Sequence, residues 1–357
     1  MQKVLTRADV LEYSRKGIKT IELDEKPILT DLARDALKQT GIEIHVGGSS
    51  YPDVQPKSGR VVTSAAATAK FEQSGGYGAG GSGIPEGDPV ARKLATPIID
   101  KEPFRDVICS DRRLVGTFIG TPHPVMTEFV GHLGFDFVCI DAEHNAITLE
   151  SLQKMLQGLQ GTPTYGMVRV PTIGYEYISG ALDIGADALL IPQVRTLEDI
   201  EKIRQFSLYP PLGRRGCGPS RLWDYGDGIG QLGTLDGDMN YTTNIVVQIE
   251  TVEALKNLER IIETDFVDMF FIGPGDLSMD MGIFGQFSNP KLVDAIMRIR
   301  EKTAKAGKRL GVFAGTFKAA KNWFEKDFDM VLVNSELAIM SGAVSEGMKV
   351  LAPTLGR

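Results

Sequence analysis

The sequence is poor in cysteine. Its three cysteines, Cys109, Cys139 and Cys217, have no paired spacing that would indicate a disulfide framework or a zinc site. Cys139 and Cys109 lie in apolar stretches, where a free thiol behaves as a small hydrophobic side chain. We therefore predict reduced cysteines and a cytoplasmic protein.

Long apolar runs and clusters of basic residues are also missing. No apolar run approaches the roughly 20 residues of a membrane span, and the first residues lack the apolar core of a signal peptide. The formal net charge of -7, without a cluster of Lys and Arg, excludes a surface that neutralises nucleic-acid phosphates. The 357 residues, of which 42% are hydrophobic, are enough for one large domain and an appendage.

The chain divides into three regions. Residues 1–46 contain two helix-like stretches and two short strands, KTIEL and IEIHV, which predict a small α/β appendage or docking segment. Residues 47–102 are rich in Gly and Ser and low in residues that form a core, and this composition predicts a flexible linker. Residues 103–357 form the third region, the main domain.

Short apolar strands alternate with helical stretches throughout the main domain. Eight strands are predicted, at LVGTFIG, FDFVCI, YGMVRV, DALLIP, NIVVQI, DMFFIG, RLGVFA and DMVLVN. Such alternation is typical of a (β/α)8 TIM barrel. A doubly wound open sheet is the alternative, but GTFIGTPHP after the first strand is a poor glycine fingerprint for that fold.

Ionisable and polar side chains follow several of these strands. They are Asp141, Glu143 and His144 after the second strand, Arg169 in the third, Gln248 and Glu250 at the fifth, and Asp276 after the sixth. In a barrel the strands' C-terminal ends line one mouth, where active sites are built. We therefore expect these side chains to lie around one site.

The residue types indicate a metal-assisted reaction. Glu250 and Asp276 could share a hard divalent cation such as Mg, Mn or Co, although a solvated pair of carboxylates is the alternative. Histidine is the usual general base at neutral pH, so His144 is the candidate for that role, with Asp141 orienting it or a metal-bound water. Glu143 is assigned no catalytic role, and an arginine is its expected ion-pair partner.

Two more groups complete this interpretation. Arg169 could stabilise a developing negative oxygen, or could instead form a structural ion pair with a nearby acid. Gly275 could bring a backbone N–H close to a ligand carboxylate. A Schiff-base lysine is disfavoured, because none of the eight predicted strands contains a lysine.

Six ordered motifs resemble the HpcH/HpaI aldolase family of class II pyruvate aldolases. They are DAEH, VRVP, LDIGADALLIPQV, YPPLGRRGCG, VVQIET and FIGPGDLS. The resemblance implies reversible cleavage of a 4-hydroxy-2-oxo acid to pyruvate and an aldehyde, with a divalent metal ion as cofactor. The chain departs from the family pattern at Ala142, because the family usually has DGEH where this chain has DAEH. It also departs at Gly275, because the family often has GPADLS where this chain has GPGDLS.

The resemblance also implies residue roles. His144 corresponds to the proton acceptor and Arg169 to the transition-state stabiliser, while Asp183 corresponds to an acid that raises the basicity of that histidine. Glu250 and Asp276 correspond to the metal ligands, and Gln248, Gly275 and Asp276 to substrate-binding positions. The family further implies a homohexamer, built as a trimer of dimers that exchange the last barrel helix, here SELAIMSGAVSEGMKVL.

Alternatives remain for the activity and for the appendage. A lyase that acts on malyl or citryl CoA thioesters is one alternative, and a catalytically vestigial barrel that serves as an assembly component is another. Residues 1–46 resemble leader segments of bacterial microcompartment proteins, which implies a shell or scaffold partner. An appendage that only helps assembly is the simpler interpretation.

Overall fold

A computed structural model describes residues 101–226, 240 and 243–356, together with parts of the first fifty residues: 4–5, 10, 13, 16–23, 28–29, 37, 41–47 and 49–50. Most of the predicted linker, residues 51–100, lies outside the described residues, as do most of the two predicted N-terminal helices. None of the described helices is both long enough and apolar enough to span a bilayer.

The described parts of the first fifty residues form small sheets with a core of their own. Strand β1 (Val4–Leu5) pairs in parallel with β3 (Ile28–Leu29), and β2 (Thr20–Leu23) pairs in parallel with β4 (Glu43–Val46), which meets β5 (Ser49–Ser50) antiparallel. The predicted strands KTIEL and IEIHV coincide with β2 and β4. Four buried side chains hold this unit together: Val10, Ile21, Ile42 and Ile44.

Eight parallel strands close into a barrel, so the predicted fold is confirmed. The strands are β6 (Leu114–Ile119), β7 (Phe137–Asp141), β8 (Tyr165–Arg169), β9 (Ala188–Ile191), β10 (Ile245–Ile249), β11 (Met269–Ile272), β12 (Arg309–Ala314) and β13 (Met330–Ser335). Each neighbour in chain order is a neighbour in the sheet, and β13 pairs with β6 to close the ring. Every predicted strand is found, with bounds that differ by two residues at most.

Helices connect the strands and surround the barrel. They are α1 (Phe104–Ile108), α2 (Pro124–Gly131), α3 (Leu149–Gly158), α4 (Tyr175–Asp183), α5 (Leu197–Ser207), α6 (Val252–Lys256), α7 (Leu258–Ile262), α8 (Pro274–Asp280), α9 (Pro290–Lys305), α10 (Phe317–Phe324) and α11 (Glu336–Leu355). The sequence TVEALKNLERII predicts one helical stretch, but it forms two helices, α6 and α7, which meet at Asn257. The side chain of this residue donates a hydrogen bond to the Arg195 carbonyl, 2.9 Å away.

The barrel interior follows the two-residue alternation of a strand. On β7, Phe137 and Cys139 point inward, while Val138 and Ile140 pack against the surrounding helices. Cys139 is fully buried, as predicted, and burial raises the pKa of its thiol. The expectation for Cys109 is wrong: this residue follows α1 at its C-cap and is exposed.

Four aspartates tie neighbouring strands together where the strands begin. Asp136, Asp187, Asp268 and Asp329 each immediately precede a strand, and each accepts a hydrogen bond from a backbone N–H at the start of the preceding strand. The donors are Val115 (2.8 Å), Gly166 (2.7 Å), Ile245 (2.8 Å) and Leu310 (2.8 Å). The opposite end of the barrel, where the strands finish, is left open for other groups.

Candidate active site

The C-terminal ends of the strands enclose a cavity of about 350 Å³. Its apolar part consists of Phe118, Phe271 and Phe313, which belong to the inward-facing side chains of β6, β11 and β12. Its polar part includes Asp141, His144, Asn145, Arg169, Gln248, Gly275, Asp276 and Glu336. Asp141, Arg169 and Gln248 each follow an inward-facing core residue by two positions, so strand alternation aims them into the mouth.

Asp141 organises the loop that carries His144. Its Oδ1 accepts hydrogen bonds from the backbone N–H groups of Glu143 (3.2 Å) and His144 (3.4 Å), and its Oδ2 accepts one from Asn145 Nδ2 (2.8 Å). The carboxylate therefore holds the backbone of the DAEHN turn. The His144 side chain itself is 60% exposed, and its Nε2 lies 3.7 Å from Glu143 Oε2.

Arg169 is buried between two acids and an aromatic ring. Its Nε donates to Asp141 Oδ1 (2.8 Å), its Nη1 lies 3.3 Å from Glu143 Oε2, and its guanidinium lies 4.4 Å from the centre of the Phe118 ring. The structural ion pair predicted as the alternative role of Arg169 is thus present, and Glu143 has its predicted arginine partner. Because Arg169 also lines the cavity, this pairing fixes a permanent cation at the wall.

Glu250 and Asp276 lie on the other side of the mouth. Glu250 is 1% exposed, and burial, followed by the like charges of Asp276 and Glu143, raises its pKa to about 7. Burial similarly raises the pKa of Glu143 to about 7, with the charges of Asp141 and Asp276 adding to the effect. Among the described residues, no Lys or Arg lies within ion-pair distance of Glu250 or Asp276.

This donor set fits a hard divalent cation held by two carboxylates. The charge of Asp276 adds to the rise in the pKa of the buried Glu250, and a cation between the two carboxylates would stabilise the ionised form of Glu250. Gln248 Oε1 adds a buried oxygen that has no hydrogen-bond partner. In the part of the chain that the structure describes, no group of three or more His, Cys, Asp or Glu side chains is arranged to hold a metal ion, so water or substrate oxygens would have to complete the coordination.

Asp183 is not brought together with His144 within the chain. It is the last residue of α4, four positions before Asp187. The Asp187 carboxylate accepts a hydrogen bond from the Gly166 N–H at the end of the barrel where the strands begin. Its Oδ1 accepts a hydrogen bond from the buried Arg215, at 2.6 Å from Nη2. The role that the resemblance implies for Asp183 remains a prediction.

Two further residues hold the site, and their roles were not predicted from the sequence. Gln193 donates its backbone N–H and its Nε2 to Glu250 Oε1, at 2.7 and 3.1 Å. Glu336, at the start of α11, accepts backbone hydrogen bonds from Gly120 (2.9 Å) and Thr121 (2.8 Å). Both residues lie just beyond the end of a strand, which is the property they share with the residues that were predicted.

The glycines of the FIGPGDLS segment give a matched pair of tests. A Cβ on Gly273 would lie 2.6 Å from Gln248 Nε2 and 2.7 Å from Glu250 Oε2, whereas a Cβ on Gly275 would meet nothing within 4 Å. We expect Gly273→Ala to cost about 1–3 kcal/mol of stability and to displace the Glu250 carboxylate. Gly275→Ala should leave the melting temperature unchanged. Thermal unfolding of both variants checks this, and equal melting temperatures would contradict the contact.

The fold and the cavity together define a (β/α)8-barrel enzyme with an acidic and basic cluster at the C-terminal ends of its strands. Residues 114–340 match the family described as HpcH/HpaI aldolase/citrate lyase. The chain belongs to this family, as the sequence motifs predicted, and the relatives reported below are named aldolases, which are lyases.

The similar proteins agree with this assignment. A 5-keto-4-deoxy-D-glucarate aldolase of Klebsiella pneumoniae is 32% identical over 243 residues, which cover 68% of this chain and 94% of the relative. A solved HpcH/HpaI aldolase/citrate lyase family protein from Burkholderia cenocepacia has a TM-score of 0.66 at 26% identity, covering 70% of this chain and 98% of that one. An HpcH/HpaI aldolase from Desulfitobacterium hafniense has a TM-score of 0.64 at 25% identity, covering 71% and 97%.

Proposed function

We propose that this protein cleaves a 4-hydroxy-2-oxo acid reversibly to pyruvate and an aldehyde, with enolisation assisted by a divalent ion such as Mg, Mn or Co. The observation that supports this most is the buried Glu250, which interacts with Asp276 and has no basic ion-pair partner among the described residues. Asp276, Arg169 and His144 line the same cavity. The names of the relatives support an aldolase over a CoA-thioester lyase or a vestigial barrel.

Glu250 and Asp276 would hold the ion. The chemistry that such an ion supplies when bound is Lewis-acid polarisation of the substrate's 2-oxo group. Gln248 and the backbone N–H of Gly275 line the same wall and would contact the substrate carboxylate.

His144 would take the proton from the 4-hydroxyl group. As the C3–C4 bond breaks, its electron pair passes to the pyruvate half, which leaves as an enolate, and the other half becomes the aldehyde. Arg169 stabilises the negative charge on the enolate oxygen, and Asp141 and Glu143 hold its guanidinium in place for this role. Protonation of the enolate at C3 completes pyruvate.

The test is exchange of the methyl protons of pyruvate with solvent deuterium, followed by NMR. Protein stripped with EDTA should show no exchange, and addition of Mg, Mn or Co should restore it. A panel of aldehyde acceptors then defines the second substrate, and malyl-CoA serves as the comparison substrate for the alternative lyase. No exchange with any divalent ion would sink the aldolase proposal.

We propose that α11 packs on another copy of the chain in a homohexamer built as a trimer of dimers. Of its 20 residues only Glu336, at its first position, is buried, and an apolar stripe that includes Leu337, Met340, Val344 and Leu351 is exposed. Helix α2 and the turn after it also expose apolar side chains, Val125, Phe129 and Leu133. Exposed apolar surface of this extent is typical of an interface between protein chains.

A charge placed on this stripe tests the assembly. Val344→Glu should shift the protein from the hexamer toward smaller species, because a carboxylate cannot be buried unpaired at an apolar interface without a large cost. Gly342→Glu adds the same charge on the opposite side of α11, where a Cβ meets nothing within 4 Å, and should leave the assembly intact. Light scattering after size exclusion measures both masses. A wild-type monomer, or an unchanged mass for Val344→Glu, would contradict this packing.

We propose that residues 1–46 form a separate unit joined to the barrel by residues 47–102. The support is its own buried core, together with a family match that begins only at residue 114. Attachment to a microcompartment shell or scaffold is the partner that the leader-like sequence suggests. Deletion of residues 1–88 should then change localisation while aldol activity survives, and unchanged localisation would leave only a role in assembly.

A further inference from the structure

Gln193 has a backbone conformation that is costly for its residue type. It lies two positions after the end of β9, and its φ is 56°, in the left-handed region that favours glycine. Side-chain-bearing residues held in such conformations cluster at functional sites. Here the conformation directs the Gln193 N–H at Glu250 Oε1, 2.7 Å away.

The side chain of Gln193 reinforces the same contact. Its Nε2 donates to the same Glu250 Oε1 at 3.1 Å, and its Oε1 accepts a hydrogen bond from Arg195 Nη2 at 3.0 Å. Because a guanidinium can only donate, Arg195 determines which end of the Gln193 amide faces Glu250. The orientation of the amide is thus set from outside the cavity.

The two donors have a consequence for the Glu250 carboxylate. Its Oε1 carries both hydrogen bonds from Gln193, so the carboxylate cannot rotate without losing both of them. Its Oε2 accepts a hydrogen bond from Gln248 Nε2 and lies next to Gly273. Gln193 therefore holds one oxygen, while the other contacts Gln248 and Gly273, which line the cavity.

We propose that Gln193 is a positioning residue that fixes Glu250 as a ligand through Oε2 for a divalent cation. This inference rests on the proposed function, because it assigns Glu250 to that cation. Partners of this kind, which bind a ligand side chain and not the ion, typically change metal affinity by 10- to 100-fold when removed.

Two substitutions separate positioning from folding. Gln193→Met keeps the shape of the side chain and the backbone donor but removes Nε2. Gln193→Gly also keeps the backbone N–H, and it relieves the left-handed strain, so its melting temperature should not fall. Gln205→Met is the matched control, because Gln205 lies on α5 and its amide bonds only the exposed Glu201.

The experiment measures Mn²⁺ binding to EDTA-stripped full-length protein by electron paramagnetic resonance, with thermal unfolding alongside. We expect about 10- to 100-fold weaker Mn²⁺ binding for both Gln193 variants and unchanged binding for Gln205→Met. Pyruvate exchange should recover toward the wild-type rate at saturating Mn²⁺, so that the loss lies in metal affinity.

Three outcomes would overturn the inference. Wild-type affinity in both Gln193 variants would remove Gln193 from this role and leave the proposed function standing. Weaker binding found only together with a lowered melting temperature in Gln193→Gly would make Gln193 a folding residue. Absence of Mn²⁺ binding by the wild-type protein, together with absence of exchange, would overturn both this inference and the proposed function.

Discussion

Replacing His144 with alanine is expected to lower the rate of aldol cleavage by about 10²- to 10⁴-fold, which is the usual contribution of a positioned general base. The fold should be kept, because the side chain is 60% exposed and its ion-pair contact is with Glu143 at 3.7 Å. The backbone N–H of His144, which bonds Asp141, is untouched by the substitution. Mn²⁺ binding should also be kept, since Glu250 and Asp276 are unchanged.

The measurement is kcat/KM for cleavage, together with Mn²⁺ affinity and melting temperature. His132→Ala is the control, because His132 is an exposed residue at the C-cap of α2 and does not line the cavity. Wild-type turnover in His144→Ala would remove His144 from the role of base. Loss of turnover together with loss of Mn²⁺ binding would instead point to a role in holding the metal site.

Replacing Glu250 with glutamine is expected to abolish metal-dependent activity and to stabilise the metal-free protein at alkaline pH. The activity falls because one of the two carboxylates proposed to hold the cation is removed, and metal affinity should drop more than about 100-fold. The stability rises because a buried carboxylate no longer has to ionise. The two effects have opposite signs, which few other substitutions in this chain should produce.

The sign of the stability effect follows from the pKa. Burial, with the charges of Asp276 and Glu143, raises the pKa of Glu250 from an ordinary 4.5 to about 7. A carboxylate with a raised pKa in the folded state contributes stability below about pH 4.5, and this contribution is lost as the pH rises through 7. Glu250→Gln lacks that loss, so above pH 7 it should be more stable by on the order of 1 to 3 kcal/mol.

Chemical unfolding of EDTA-treated protein across this pH range measures the difference. Glu253→Gln, at an exposed position in the first turn of α6, is the control and should change neither stability nor metal binding. With saturating Mn²⁺ the order should reverse, because binding to the folded state stabilises only the protein that binds. If Glu250→Gln were less stable than the wild type in EDTA at alkaline pH, ionisation of Glu250 would not destabilise the folded protein as we infer.

The barrel could be predicted because the two patterns that indicate it, short apolar strands and their alternation with helical stretches, are local in the sequence. Strands such as FDFVCI and DALLIP are short apolar runs between helical stretches, and the parallel order follows from their alternation. The candidate site followed from the same rules, since groups at the ends of strands meet at one mouth. Asp141, Arg169 and Gln248 were located in this way before any contact was known.

The partners of these residues could not be predicted, because they depend on distances between segments that are far apart in the chain. Gln193 reaches Glu250 across 57 positions, and Arg215 meets Asp183 across 32. Spacing within a motif carries no information about such contacts. The hydrogen bond from Asn257, where α6 meets α7, to the Arg195 carbonyl is another such contact, across 62 positions.

Helix α11 shows a different limit. Its apolar stripe resembles in sequence the inner face of any barrel helix, but no described residue of the chain covers that face, which is exposed. Periodicity reports that a face will be buried, not which molecule buries it. The resemblance to a family of oligomers, rather than the pattern itself, gave that expectation.

The four aspartates at the starts of the strands make one end of this barrel more regular than the other. At one end the same hydrogen bond recurs at every second strand, made by Asp136, Asp187, Asp268 and Asp329. That end is therefore a structural repeat. At the other end the polar groups follow no such repeat: Asp141 ends β7, Arg169 ends β8, and Glu250 follows β10. The symmetry of the scaffold therefore stops where the chemistry begins, and the reactive mouth is free to vary while the repeated ties maintain the ring.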